Sequence, residues 1–289
     1  MDHHSDFIDI GSSRLGYRVA GDGPDLFFVH GWPLNRETWR NVVTALPDFR
    51  CHLVDLPGSG RTITPQGTAV SLRGHVDAVT AAIDVLGLGD VVLVGHDSGG
   101  LIARFVAEKR IDRTPALVLA GTEIPHHHPV QIDRLQMMTK LPGSVRITQR
   151  LINTPVIARS NQFLGSCFHD RVLIEGEFRT EVLDPNFRDK AVVARQLEML
   201  HTYTTDFVDE VEATHANLTC PTLLVWGEAD PYFPVTRARE MAEQFAGSTR
   251  FEVIEDARLL VHEEHPERFA ELVRDFVNGA GDPAEGRTD

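Results

Sequence analysis

The chain is poor in cysteine, has no long apolar run and carries fewer basic than acidic residues. Its three cysteines, Cys51, Cys167 and Cys220, are an odd number without paired spacing, which predicts neither a disulfide framework nor a zinc site. The apolar runs fall far short of the ~20 residues of a membrane span, and the first six residues lack the basic and then apolar pattern of a secretory signal. We therefore expect a cytoplasmic protein that does not enter a membrane.

The charge balance excludes another class of partner. Forty-two acidic residues against 28 basic ones give a net charge of -14, which repels both nucleic acid and anionic lipid surfaces. Neither the three consecutive histidines at 126–128 nor the glycine-containing stretch at 58–60 has the spacing of a metal or phosphate site. We expect no metal and no cofactor, a small-molecule substrate as the partner, and a monomer or homodimer.

The apolar pattern predicts alternating strands and helices. Short β-rich runs predict strands at residues 7–10, 15–19, 26–29, 51–54, 91–94, 116–119, 222–226 and 250–254. Helical spacing predicts helices near residues 72–86, 101–110, 235–245 and 266–277. This alternation favours an α/β fold with a mostly parallel sheet covered by helices on both sides.

The strand pattern is interrupted once. From about Pro125 the sequence becomes helical in pattern and rich in large apolar residues, and strands resume at Thr222. We interpret this as an inserted helical cap at 125–215, dividing a core of residues 1–124 and 216–278. The small and polar residues 279–289 predict a flexible tail.

The most informative motif is Gly95-His96-Asp97-Ser98-Gly99-Gly100, which lies between a predicted buried strand and a helix. It has the small-x-nucleophile-x-small form of a nucleophile elbow, in which glycines permit a sharp turn that exposes the central side chain. With Gly95 and Gly99 as the small flanks, Asp97 is at the apex. The register that centres Ser98 would require a small residue where His96 stands, so it is the weaker alternative.

Together with this elbow, three further motifs resemble the α/β-hydrolase superfamily. They are His30-Gly31-Trp32-Pro33, Asp55-Leu56-Pro57-Gly58-Ser59-Gly60 and Trp226-Gly227-Glu228-Ala229-Asp230. The aspartate at the elbow resembles the branch that contains epoxide hydrolases and haloalkane dehalogenases. The resemblance implies an α/β-hydrolase fold, an oxyanion loop at Gly31 and Trp32, and displacement at a saturated carbon.

A carboxylate suits that reaction because its reference pKa of ~3.9 leaves it ionised at neutral pH. The resemblance implies that attack by Asp97 leaves an alkyl ester, which water then hydrolyses with the help of a histidine oriented by an acid. Two residues are candidates for that acid. Asp230 occupies the commoner position of the family, and Glu123 matches the position that some dehalogenases use.

The expected histidine is missing. Aligning the family pattern on Asp256 and Ala257 places Leu259 where the general base belongs, and leucine cannot accept a proton. His262 is a candidate substitute base, although three residues along a helix displace it by ~5 Å from the expected place. The sequence therefore predicts an ester that forms but is hydrolysed slowly.

The substrate signatures of the branch are incomplete. Tyr203 is the single tyrosine in the inserted segment, whereas epoxide hydrolases use a pair, and Ser98 replaces the halide-binding tryptophan that follows the nucleophile in haloalkane dehalogenases. Trp32 is a partial substitute for that indole. We expect a hydrolase in which Asp97 attacks a small lipophilic epoxide or alkyl halide. The alternative is a non-hydrolytic protein of the same fold: a lyase, isomerase, cyclase or ligand-binding module.

Overall fold

The structure is a computed structural model that describes residues 6–68 and 70–280. The strands are β1 (Asp6–Asp9), β2 (Arg14–Ala20), β3 (Asp25–Val29), β4 (Arg50–Val54), β5 (Val92–His96), β6 (Leu117–Ala120), β7 (Thr222–Gly227) and β8 (Thr249–Ile254). The α-helices of the first half are α1 (Arg40–Thr44), α2 (Leu72–Val85), α3 (Ser98–Lys109), α4 (Val130–Thr139), α5 (Ser144–Ile152) and α6 (Pro155–Ala158). Those of the second half are α7 (Asp184–Phe187), α8 (Lys190–His201), α9 (Thr205–Asp209), α10 (Val211–His215), α11 (Val235–Ala242), α12 (Val261–Glu264) and α13 (Pro266–Ala280). Short 3₁₀ turns cover Arg36–Trp39, Ile111–Arg113, Leu164–Ser166 and Arg171–Ile174, and Phe178–Leu183 is a π-helix.

The strands form one eight-stranded sheet in the order β1-β2-β4-β3-β5-β6-β7-β8. The pairs β1/β2 and β2/β4 are antiparallel, and every pair from β4/β3 to β7/β8 is parallel. The predicted mostly parallel sheet is therefore confirmed, and each strand expected from the sequence lies within two residues of its observed bounds. The central position of β5 explains its continuous apolar sequence, because both of its faces are covered.

The core lies on both faces of the sheet. Alternate residues of β5 point to opposite sides, so that Leu93 packs in one apolar cluster and Val92 and Val94 pack in the other. Helices α2, α3 and α11 cover the first face, and α1, α12 and α13 cover the second. This arrangement leaves the carboxyl ends of the parallel strands as the edge at which side chains can gather.

The chain between β6 and β7 is helical, as the sequence predicts. Its buried apolar residues, among them Phe168, Phe178 and Leu197, belong to the same cluster as those of α2 and α3. The division into a core and a cap at 125–215 stays a prediction. Of the predicted tail, Gly279 and Ala280 form the end of α13, and residues 281–289 lie outside the described part of the chain.

Among residues 6–68 and 70–280, no helix combines the length and apolarity that crossing a membrane requires. The three cysteines are buried and unpaired with one another.

Candidate active site

Asp97 occupies the bend between β5 and α3. Its backbone has φ 51° and ψ -135°, a conformation that is strained for a residue with a side chain, and Ser98 is already the first residue of α3. The Asp97 N–H donates to the carbonyl oxygens of Ala120 and Gly121 at 3.2 and 3.1 Å, which ties the bend to the end of β6. The structure thus has the turn in the register that centres Asp97.

Close backbone contacts explain why glycines flank this bend. A Cβ added to Gly99 would lie 2.3 Å from the carbonyl oxygen of Val29, and one added to Gly31 would lie 2.5 Å from Cβ of Asp97. Both distances are far below van der Waals contact. The start of α3 can therefore lie against the end of β3, and the loop after β3 against Asp97, only because neither glycine carries a side chain.

The loop after β3 contacts the Asp97 carboxylate directly. The backbone N–H of Trp32 lies 3.0 Å from Oδ2 of Asp97 and 3.0 Å from Oγ of Ser98. The backbone N–H of Ser98 also bonds to the carboxylate and lowers the pKa of Asp97. Two backbone N–H groups thus bond to this carboxylate, as donors that stabilise negative charge do.

Glu123 lies just past the end of β6, beside the strand that carries Asp97. It is buried, and its Oε2 accepts a hydrogen bond of 2.9 Å from Oγ1 of Thr122. The same hydroxyl oxygen lies 2.8 Å from the carbonyl oxygen of Asp97. Thr122 therefore bridges the backbone of one carboxylic residue and the side chain of the other.

The two carboxyls influence each other electrostatically. Burial raises the pKa of Asp97 well above its ordinary value, and the nearby charge of Glu123 raises it further. Burial also raises the pKa of Glu123, although the guanidinium of Arg104 lowers it. Neighbouring buried carboxyls resist losing both protons, so the pair retains one proton to a higher pH than either group would alone.

Asp230 lies in the turn after β7. Its Oδ1 accepts backbone hydrogen bonds from Tyr232 and Phe233 at 2.8 and 3.0 Å, and its buried Oδ2 has no hydrogen-bond partner among the described residues. Burial raises the pKa of Asp230 to about 7. Leu259 lies close by, because a Cβ built on Gly121 would be 3.3 Å from Oδ2 of Asp230 and 3.2 Å from Cδ1 of Leu259. The unpaired oxygen is what an acid that has lost its imidazole partner would leave.

His262 packs against Trp39 and Phe269, two residues of the second apolar cluster. Its ring is fully buried against Trp39, with the ring centroids 4.3 Å apart, and its Nε2 is 2.9 Å from Oγ1 of Thr38. Burial lowers its pKa well below the ordinary value. Because the ring does not line the cavity beside Asp97, this placement argues against His262 as the substitute base.

A cavity of about 430 Å³ lies above Asp97, beneath the helices between β6 and β7. Aliphatic and aromatic side chains form most of its wall, as in a site for an apolar small molecule. The lining side chains that can act as a nucleophile or exchange a proton include Asp97, Ser98, Glu123, Cys167, Tyr203 and Tyr232.

The hydroxyl of Tyr203, in the connection between α8 and α9, interacts with the Glu123 carboxyl. This contact lowers the pKa of Glu123 and raises that of Tyr203, although the hydroxyl makes no hydrogen bond of standard geometry with the described residues. Tyr232 contributes a second phenol, whose oxygen is 2.9 Å from Oγ of Ser166. Trp32 also lines the cavity, but its indole N–H donates to the carbonyl oxygen of Gln196 at 3.0 Å.

The cavity brings together most of the residues singled out from the sequence: Trp32, Asp97, Ser98, Glu123, Tyr203 and Leu259. Asp230 is not among the residues of the cavity wall, and Gly31 lies against Asp97 in the loop after β3. Tyr232 was not predicted from the sequence, because it lies outside the inserted segment in which the tyrosines of epoxide hydrolases are expected. Its position two residues after Asp230, in a turn that follows a predicted strand, is the signal that could have found it.

The comparisons with known proteins agree with this fold. A family model described as the alpha/beta hydrolase fold matches residues 24–266. The chain belongs to the alpha/beta hydrolase fold family. Within that family, it is 26% identical over 274 residues to haloalkane dehalogenase 2 of Mycobacterium tuberculosis (strain ATCC 25618 / H37Rv), covering 93% of each chain. It is also 28% identical to the pimeloyl-[acyl-carrier protein] methyl ester esterase of Aeromonas hydrophila subsp. hydrophila, covering 89% of this chain and 96% of that one.

Among solved structures, the epoxide hydrolase CorEH has the same fold, with a TM-score of 0.79 at 21% identity over 96% of this chain and 99% of that chain. The family relatives thus include hydrolases that act on different bonds. The family match establishes the fold of this chain, whereas the reaction has to be argued from the site.

Proposed function

We propose that Asp97 attacks a carbon of a small lipophilic epoxide and forms an alkyl ester that is released slowly. The observation that carries the proposal is the Asp97 carboxyl at a strained bend, facing a mostly apolar cavity and held by the backbone N–H groups of Trp32 and Ser98. A carboxylate in that place can displace at carbon without losing a proton first. The donors that hold it also orient the oxygen that attacks.

The contacts of Trp32 favour an epoxide over an alkyl halide. A leaving halide needs free N–H donors, and the Trp32 indole already donates to Gln196. An opening epoxide instead needs a proton for its oxygen, and the phenols of Tyr203 and Tyr232 both line the cavity. The second phenol supplies the partner for Tyr203 that the inserted segment lacks.

Leu259 accounts for slow release of the ester. Its side chain lines the same cavity as Asp97 and lies close to the unpaired oxygen of Asp230. Loss of a general base typically costs ~10²–10⁴ in rate, so the ester should accumulate during turnover. A non-hydrolytic reaction in the same cavity, such as an isomerisation, is the alternative that the same test addresses.

Intact-protein mass spectrometry after incubation with styrene oxide tests the proposal. We expect one covalent adduct, located on Asp97 by peptide mapping and lost in Asp97→Ala. Ser98→Ala keeps the carboxylate and should still form the adduct, whereas a serine nucleophile would lose it. An unmodified wild-type protein would contradict the proposal, and an unmodified protein that converts styrene oxide to an isomer would establish the alternative.

A further inference from the structure

We propose that Glu123 exchanges protons with the substrate and with the hydrolytic water, in place of the missing imidazole. This inference rests on the proposed function and extends it. Family members use an acid at this position to orient a histidine, and in the described part of this chain no histidine lines the cavity. Glu123 is therefore a buried carboxyl that has no histidine to orient in this cavity.

The placement of Glu123 fits direct action on the ester. In the parallel register Gly95 pairs with Leu119 and His96 with Ala120, so Asp97 and Glu123 both lie just beyond the ends of neighbouring strands. Both line the same cavity, and Oγ1 of Thr122 bridges them at 2.8 and 2.9 Å. A water molecule above the Asp97 carboxyl would thus lie beside a second carboxyl.

Glu123 is not occupied as a structural ion pair. Arg104 donates to the carbonyl oxygen of Glu123 at 2.9 Å and to Oγ1 of Thr122 at 3.0 Å. Across residues 6–68 and 70–280, no cationic nitrogen lies within 4.0 Å of the Glu123 carboxylate. The charged and titratable groups that face it are Asp97 from the bend, Arg104 from α3 and Tyr203 from the connection after α8. The carboxyl can therefore both hold and release a proton.

The proton balance closes over one cycle. The free site holds one proton on the carboxyl pair, and attack begins from the state in which that proton has moved from Asp97 to Glu123, which leaves Asp97 ionised. An oxygen of Asp97 bonds to the epoxide carbon, the ring C–O bond breaks, and the alkoxide takes a proton from Tyr203, which takes one from Glu123. Glu123 is now a carboxylate beside a neutral ester, and the repulsion between the two groups has gone.

Hydrolysis returns the proton. Water adds to Cγ of the Asp97 ester while Glu123 takes one of its protons, and collapse then breaks the bond between Cγ and the alkyl oxygen. The released alkoxide takes the remaining acid proton of Asp97, giving a diol. Asp97 ends as the carboxylate and Glu123 as the acid, which is the starting state.

Single-turnover decay of the adduct tests this role. Wild type, Glu123→Gln and the matched control Glu243→Gln are loaded with styrene oxide, freed of excess reagent, and followed by intact mass. Glu123→Gln keeps the acceptor for Thr122 and should slow decay by about 10²-fold or more, while Glu243→Gln, an exposed position after α11, decays like wild type. Decay of the Glu123→Gln adduct at the wild-type rate would overturn the proposal.

The pH profile of wild-type decay gives a second reading that needs no variant. A carboxylate base makes decay rise through one titration above the ordinary glutamate pKa and then level off, because burial raises the pKa of Glu123. Hydroxide attack alone would make decay rise steadily without a plateau, and that result would overturn the role of Glu123. If no adduct forms on Asp97, the proposed function fails and this inference fails with it, whereas an adduct without the plateau removes only the inference.

Discussion

Nε2 of His96 lies 3.0 Å from the carbonyl oxygen of Leu259, so the residue before the strained bend is hydrogen-bonded to the loop that should carry the general base. Both residues are buried. This contact fixes the backbone of the loop beside Asp97 through an atom that does not depend on the side chain at position 259. The loop backbone can therefore keep this contact whichever side chain stands at position 259.

Leu259→His should convert slow ester release into turnover. The anchored backbone would direct the new imidazole into the cavity wall, where Oδ2 of Asp230 has no partner and can accept the imidazole N–H while the other ring nitrogen acts as the base. Restoring a general base is worth ~10²–10⁴ in rate. We expect adduct decay to accelerate by that order and steady-state formation of styrene diol to become measurable by chromatography.

The control for this change is Leu259→Met, which has a similar volume and no proton acceptor. It should decay like wild type. Leu259→His should also restore decay in the Glu123→Gln background, because the imidazole then provides the base. An adduct as long-lived in Leu259→His as in wild type would mean that the loop does not place residue 259 over the ester.

Tyr203→Phe should slow alkylation by an epoxide and spare alkylation by a halide. Tyr203 lines the cavity and, in the proposed reaction, protonates the opening ring oxygen, whereas bromide leaves as an anion and needs no proton. We expect a loss of about 10²-fold in the rate of adduct formation with styrene oxide and little change with butyl bromide, both measured by intact mass. Equal slowing of the two reagents would instead indicate a structural role for the hydroxyl.

Tyr232→Phe provides the comparison for Tyr203. Its hydroxyl is engaged with Ser166, so the phenol is less free to follow the ring oxygen. The effect of Tyr232→Phe on styrene oxide should be the smaller of the two. The reverse order would assign the main proton donor to Tyr232.

The positions of the strands along the chain could be expected from the sequence because each strand is short, apolar and closed by a turn signal. The run 91–94 contains no polar residue, which is typical of a central parallel strand, and β5 is central. The bend at Asp97 followed from glycine spacing, because only glycine permits the close approach seen at Gly99. These features are local, and local sequence determines them.

Contacts between residues of different strands and helices at the sheet edge could not be predicted in the same way. That Thr122 bridges Asp97 and Glu123 depends on the parallel register of β5 and β6, which residue types alone do not fix. The sequence argument for His262 as a base used only its separation from Leu259 along the chain. In the fold, helix α12 turns its ring toward Trp39 and away from the cavity.

Gly99→Ala should destabilise the protein and disturb the bend. The added methyl would meet two backbone carbonyl oxygens, those of Val29 at 2.3 Å and His30 at 2.6 Å, and neither can rotate away. Overpacking of this kind costs about 1–3 kcal/mol or more in the free energy of unfolding. Urea denaturation measures it, with Gly279→Ala as the control: its new methyl meets no atom within 4 Å, and alanine favours a helix, so stability should hold or rise slightly. Equal stabilities for the two variants would contradict the packing at the bend.

Asp230→Asn should stabilise the protein relative to wild type at high pH more than at low pH. The pKa of Asp230 is raised from 3.8 to about 7 in the folded protein, because the carboxyl is buried and its Oδ2 has no partner. Between about pH 4 and pH 7 the folded state retains a proton that the unfolded state has lost. The stability that this proton contributes is present below pH 4 and is lost as the pH rises through 7.

Asparagine does not ionise, so the variant does not lose stability in this way as the pH rises. It keeps an oxygen for the N–H groups of Tyr232 and Phe233, and its unpaired amide adds a cost that does not change with pH. The free energy of unfolding of Asp230→Asn minus that of wild type should therefore increase between pH 5 and pH 8, by about 3 kcal/mol. Urea denaturation at the two pH values measures this difference, and the exposed Asp112→Asn provides a matched control whose difference from wild type stays constant. A constant difference for Asp230→Asn as well would show that Asp230 is ionised throughout this range, and thus that its second oxygen has found a partner.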